Sequence, residues 1–157
     1  MLNYSVHNSK PPKCLIVGVG NIIRSDDAIG SIVCEEMDGL QLPNVSYLHV
    51  HQLHTELLEE FSQHEYVIIV DAAVEGKEVN FFAVNPGIAG TASSHAMDAA
   101  SIAALFEKVY GRRLKLYVCA VRGEDFSLGE SITKQARANI NKAIDMLTAS
   151  ICRLSIG

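Results

Sequence analysis

The chain of 157 residues has no tryptophan, only four prolines, and four cysteines that form no Cys-x-x-Cys pair. Without such pairs the common zinc-ribbon and dithiol redox motifs are excluded. Cys14, Cys34, Cys119 and Cys152 are therefore expected to be small buried hydrophobes in a reducing compartment. Basic charge is also lacking, since 13 Lys+Arg against 18 Asp+Glu leave a formal net charge of −5. A general nucleic-acid binder needs a basic face, and the one basic cluster, Arg112-Arg113 with Lys115, is too short to track phosphates. No nucleic-acid partner is expected. No apolar run approaches the roughly 18–20 residues that span a bilayer; the best, Tyr66 to Val70, is cut at once by Asp71. The first twelve residues are polar, with no apolar signal-peptide core, and read as a flexible N-terminal extension. The expected location is the cytoplasm, with no membrane partner. Internal repeats and linker-like composition are absent too.

What is present is a rather apolar globular chain, 48% hydrophobic and 20% charged, with a mean hydropathy of +0.17. That suits one domain over residues 1–157, large enough to bury a core without staples. Strand-like and helix-like segments alternate. Cys14 to Val19 is a continuous apolar run suited to a strand buried on both faces. Ile29, Ile32, Val33, Met37 and Leu40 follow at helical spacing, with Ser25-Asp26-Asp27 offering caps and negative charge at the helix start. Val45 to Val50 predicts a second strand, Leu53 to Phe61 a short helix, and Tyr66 to Val70 a third strand ending at Asp71. Val79 to Val84 predicts a strand so soon afterwards that no parallel crossover fits. It is expected at an edge, antiparallel to the strand before it. Helical spacing returns at Ile102 to Val109, a strand at Leu114 to Val121, and the clearest helix at Ile132 to Leu154. The whole predicts an α/β three-layer sandwich: a mostly parallel five-stranded sheet, helices on both faces, and one antiparallel edge strand.

Ligands of open α/β sheets bind beyond the carboxyl ends of the parallel strands. That rule selects Gly18, Gly20, Asn21 and Asp26-Asp27 after the first strand, Asp71 after the third, and Ser93-Ser94-His95 before a helix. An acid following Val-Ile-Ile-Val is set at the rim of the core, whereas Asp27 alone is also explained as a helix-start carboxylate. Two carboxylates and an imidazole suit a divalent metal such as zinc or nickel with positions left open. They equally suit paired carboxylates activating water with a histidine as orienter. Both readings stay open at this level.

Other patterns carry less. Gly18-x-Gly20 after a strand suggests a dinucleotide loop, but Ile23 stands where the third glycine belongs, and the second strand ends His49-Val50-His51 rather than with an acid. No nucleotide cofactor is expected. His49 and His51 share a strand face by their spacing, with His54 nearby, yet no cysteine or acid completes a metal set before Glu56. Ser94 beside His95 is a weak nucleophile pattern, because sequence neighbours need not face each other.

The run Gly18-Val-Gly-Asn-Ile-Ile-Arg-Ser-Asp-Asp-Ala-Ile-Gly30 closely resembles the opening signature of the hydrogenase maturation proteases. These endopeptidases trim the C-terminal extension from the large subunit of nickel-iron hydrogenases. Val67-Ile-Ile-Val-Asp-Ala-Ala73 resembles the family's acid-bearing central strand, and Ser93-Ser-His95 with Tyr110-Gly111 also fits. Gly123-x-x-Phe126-x-x-Gly129-Glu130 is similar to the segment before its last helix. The resemblance implies Asp27, Asp71 and His95 as the groups that meet the nickel of the precursor, with Asp27 and Asp71 catalytic. Nickel arrives with the substrate, and the partner is the large-subunit precursor. Gly18, Gly20 and Asn21 would shape the loop beside the acid, their backbone N–H groups serving as oxyanion donors. Two features depart from the pattern: Ala28 replaces a common glycine, and His51 to Leu58 replaces a Gly-Thr-rich turn. The latter resembles the branch serving cytosolic, cofactor-linked hydrogenases. A non-catalytic nickel-checking partner would use the same three ligands. A monomer is the expected state.

Overall fold

The computed structural model describes residues 13–86 and 94–156, leaving aside the side chains of 94–98, 155 and 156. Five strands form one sheet: β1 (Cys14–Val19), β2 (Val45–Val50), β3 (Tyr66–Ala73), β4 (Val79–Ala83) and β5 (Lys115–Arg122). Their order is β2-β1-β3-β5-β4. The first four in that order pair in parallel, and β4 runs antiparallel at the edge. Four helices cover the sheet: α1 (Ile29–Asp38), α2 (Leu57–Ser62), α3 (Ser94–Tyr110) and α4 (Lys134–Ile156). A one-turn 3₁₀ segment, Ser25–Ala28, leads into α1.

The alternation of each strand divides the core in two. Val67 and Ile69 of β3 face one side with Leu57, Phe61 and Phe106, so α2 and α3 cover that face. Ile68 and Val70 face the other side with Val33, Met37, Ile140 and Leu147, so α1 and α4 cover it. Because β1 throughout and β3 over Val67 to Val70 are apolar and buried on both faces, they read as unbroken hydrophobic runs. This confirms the three-layer reading from patterning.

Four expectations need correction. β4 is an antiparallel edge strand, but its partner is β5 and not β3. The short β3–β4 connection skips over a slot that β5 fills later in the chain, because a strand buried on both faces (Val118, Cys119, Ala120, Val121) belongs inside the sheet. Asp71 does not follow β3 but lies within it, two residues before its end and paired with Val19 and Ala120. Leu53 lies outside α2 and is buried from the preceding loop. Among the cysteines, Cys14, Cys34 and Cys119 are buried as expected, whereas Cys152 on α4 is exposed.

Among the described residues no helix is long and apolar enough to cross a membrane.

Candidate active site

The chain leaves β1 through α1 to β2 on one side, and through α2 to β3 on the other, with α1 and α2 on opposite faces. The direction of winding therefore reverses between β1 and β3. At such a switch point the connections diverge and leave a crevice beyond the strand ends. Val19 and Asp71 are register partners at that point. The 3₁₀ turn carrying Asp27 packs against β3. Sequence reasoning had chosen both acids; the topology puts their elements on the two flanks of one crevice.

Close backbone packing holds Asp27 in place. A Cβ on Gly18 would stand 2.3 Å from the carbonyl oxygen of Gly30, and one on Gly30 would stand 2.6 Å from that of Val70. The first turn of α1 thus rests directly on β1 and β3 with no side chain between. Gly20 has φ +143°, and a Cβ there would stand 2.1 Å from the carbonyl oxygen of Asp27. Only glycine fits this turn. The Asn21 N–H donates to Asp27 Oδ2 at 2.7 Å, while Asn21 Oδ1 accepts from the Ile23 N–H at 3.1 Å. Asp27 is half-buried, so one oxygen is oriented by the backbone and the carboxylate still reaches solvent.

This geometry corrects one expectation. The Gly20 N–H donates to the Val50 carbonyl and the Asn21 N–H to Asp27, so neither is available as an oxyanion donor. Their role is to shape the loop.

Asp26, taken from the sequence as a helix-start acid, does something else. It is fully buried, and its side chain makes no cap on the helix that follows. Oδ2 accepts the N–H groups of Glu124 at 2.7 Å and Asp125 at 3.0 Å and the Thr133 hydroxyl at 2.8 Å; Oδ1 accepts the Thr133 N–H at 2.9 Å. Burial pushes its carboxyl upward, but these four donors outweigh it and hold the group below the usual carboxylate range. Thr133 in turn caps α4, its Oγ accepting the Ala136 N–H at 3.1 Å. Further bonds close the seam between the two loops: Ser25 N–H to the Gly129 carbonyl, Gly129 N–H to the Ile23 carbonyl, and the Ser25 hydroxyl to the Ser127 carbonyl. Sequence reading missed this link. A Gly-, Ser- and Asp-rich stretch ending in a Ser/Thr helix cap was the only available signal of a loop needing an anchor.

Asp71 is 2% exposed. It shares the α2/α3 face with Ile69 and Ala73, the face on which α3 begins. His95 is the second residue of α3, inside the helix where the sequence suggested the loop before it. Its side chain, like Ser93 as a whole, lies outside the described residues. No group of three His, Cys, Asp or Glu able to hold a metal occurs among the described residues, a search that does not reach His95. Of the other histidines, His49 donates from Nε2 to the Gly20 carbonyl at 3.1 Å, since a carbonyl only accepts. It braces the site loop, while His51 and His54 are exposed. His49 and His51 do not share a strand, because β2 ends at Val50.

No protein-family model matches the sequence, and no curated protein does. Solved structures do match. The chain superposes on the [NiFe] hydrogenase maturation protease HybD from Thermococcus kodakarensis with a TM-score of 0.72 at 20% identity, covering 88% of this chain and 99% of that one. The hydrogenase maturating endopeptidase HybD from E. coli gives 0.73 at 23% identity over 90% and 93%. The maturation protease HycI from T. kodakarensis gives 0.70 at 21% over 92% and 95%. The chain therefore has the fold of the hydrogenase maturation proteases.

Proposed function

We propose that the protein is an endopeptidase that removes the C-terminal extension of a nickel-loaded [NiFe]-hydrogenase large-subunit precursor. The observation that carries this reading is the pair of acids, Asp27 and Asp71, borne on elements that pack together at the switch point between β1 and β3. The fold shared with HybD and HycI supports it.

In this reading Asp27, Asp71 and His95 meet the nickel carried by the substrate and hold the precursor in register. The chain's own contribution is then positioning, which lowers a barrier by several kcal/mol when the scissile bond is well held. Asp27 is the better base: its carboxylate is half-exposed and held by the Asn21 N–H. It takes a proton from the attacking water as the water oxygen bonds to the carbonyl carbon, and hands that proton to the amide nitrogen as the C–N bond breaks. Asp71, enclosed within β3, is the better fixed recognition group. Nickel loading becomes the licence to cut, and the reaction runs in the cytoplasm.

The test is the intact mass of a co-resident large-subunit precursor after incubation with the protein. Precursor loaded with nickel and precursor left empty are compared, with Asp27→Asn, Asp71→Asn and His95→Ala variants alongside. Loss of a C-terminal peptide from the loaded precursor alone, abolished in the variants, is expected. Nickel-dependent complex formation with an unchanged mass would make the protein a metal-checking partner instead.

A further inference from the structure

The lateral register across the sheet places Val19, Asp71, Ala120 and Asn80 in one row, from β1 through β3 and β5 to β4. All four belong to the α2/α3 face by the alternation of their strands. Two acceptor-bearing side chains, Asp71 and Asn80, are thus separated by a single methyl group. Above that methyl the face is open: a cavity of about 360 Å³ is lined by Ala73, Ala120, Asn80, Glu75, Gly76 and Lys77. The volume falls at the low end of small-ligand sites, enough for a stretch of peptide.

Its composition is equally specific. The floor is alanine, which contributes area but no bulk. Asn80 is half-buried, and among the described residues its amide has no hydrogen-bond partner. A carboxamide donates and accepts together, the combination that pairs with a peptide unit's C=O and N–H. Even-numbered residues of β4 bond to β5, as Arg122 N–H to the Glu78 carbonyl and Val84 N–H to the Leu116 carbonyl show. The backbone of Asn80 is therefore fixed by β5 while its side chain is left for a ligand.

We infer that this trough binds the main chain of the protein substrate beside the scissile bond, with Asn80 as a substrate-positioning contact. The inference rests on the peptidase reading. Strands lie ~4.8 Å apart, so Asp71 and Asn80 are separated by about 10 Å, the span of roughly three extended residues. Asn80 then grips the substrate about three residues from the group that Asp71 recognises. The alanine floor admits the chain between them and excludes nothing of ordinary size.

Steady-state cleavage of nickel-loaded precursor by the full chain, followed by intact mass, tests this. Asn80→Ala is expected to raise KM about tenfold with kcat within about twofold, since a neutral hydrogen-bonding contact is lost in both ground and transition states. Ala120→Leu, which fills the trough, is expected to raise KM by at least about tenfold. If Ala120→Leu fails to fold, Asn80→Ala on the edge strand decides alone. Parent cleavage with Asn80→Ala unchanged in KM would overturn the trough and leave the peptidase reading standing. Absence of cleavage by the parent would remove both.

Discussion

Asp26 and Asp27 are adjacent acids in opposite surroundings, one sealed and one reaching solvent, and substituting the first gives the sharpest test of that division. Asp26→Ala deprives three backbone N–H groups and one hydroxyl of their acceptor, at distances of 2.7 to 3.0 Å. Hydrogen bonds to a charged acceptor contribute about 1.5–3 kcal/mol each, and a stranded buried donor costs about 1–3 kcal/mol. The four do not add, because Glu124 and Asp125 are exposed and water can reach their amides once the loop yields. A net loss of about 3–5 kcal/mol is expected, comparable to breaking a buried charge interaction. For a chain of this length that lowers Tm by roughly 6–20 °C. Asp26→Asn should lose nearly as much, since its NH₂ group faces donors.

The pH dependence supplies a second readout. The folded carboxyl sits below its unfolded value of about 3.9. Its stabilisation is therefore complete above that value and is lost as pH falls past it and through the folded pKa. Denaturant titrations of the parent and Asp26→Asn at a series of pH values should give curves that are far apart at pH 7 and converge below about pH 4. A loss under about 1 kcal/mol for Asp26→Ala, or a gap that does not narrow in acid, would refute the assignment of Asp26 as the anchor between the two loops.

Three further outcomes follow from the same geometry. Asp27→Asn should leave stability within about 1 kcal/mol, as for a partly exposed side chain, while precursor cleavage falls at least about 100-fold; a folded variant that still cuts would remove Asp27 from the chemistry. Gly20→Ala should destabilise by more than about 2 kcal/mol in denaturant titrations, because the turn has a positive φ and the new Cβ meets the Asp27 carbonyl; a neutral result would show that the loop relaxes freely. Thiol titration of the native protein should find Cys152 alone reactive, since burial encloses Cys14, Cys34 and Cys119 and pushes their thiols up to about 12; a second fast thiol would show that the core opens.

Patterning made much of the fold legible. Cys14 to Val19 and Val45 to Val50 are strands over the bounds read from sequence, because each is a short, β-branched-containing segment between breakers, too short for a helix. The last helix was clear from its three-and-four spacing, and begins only two residues later, at Lys134. The partner of β4 was not legible. Loop length limits whether neighbouring strands can be parallel, but says nothing about a later strand entering between them. For the candidate site, the sequence offered residue types near the strand ends, but Asp71 lies inside β3 rather than after it. Choosing between Asp26 and Asp27 was not possible locally, since both stand in one turn and only the loop at Glu124 to Thr133 distinguishes them.

By itself the sequence determined the layers, the strands buried on both faces and the glycine turn after β1, and it singled out the pair of acids. These follow from hydrophobic periodicity and backbone sterics, which act within a few residues. The tertiary structure decided which acid is sealed into the scaffold and which reaches solvent, that the Gly20 and Asn21 amides are already engaged, and that Asp71 shares a row with Ala120 and Asn80. Each depends on groups from distant parts of the chain meeting in one place. A hydrogen bond across 107 positions, as between Asp26 and Thr133, leaves no periodic trace in the sequence.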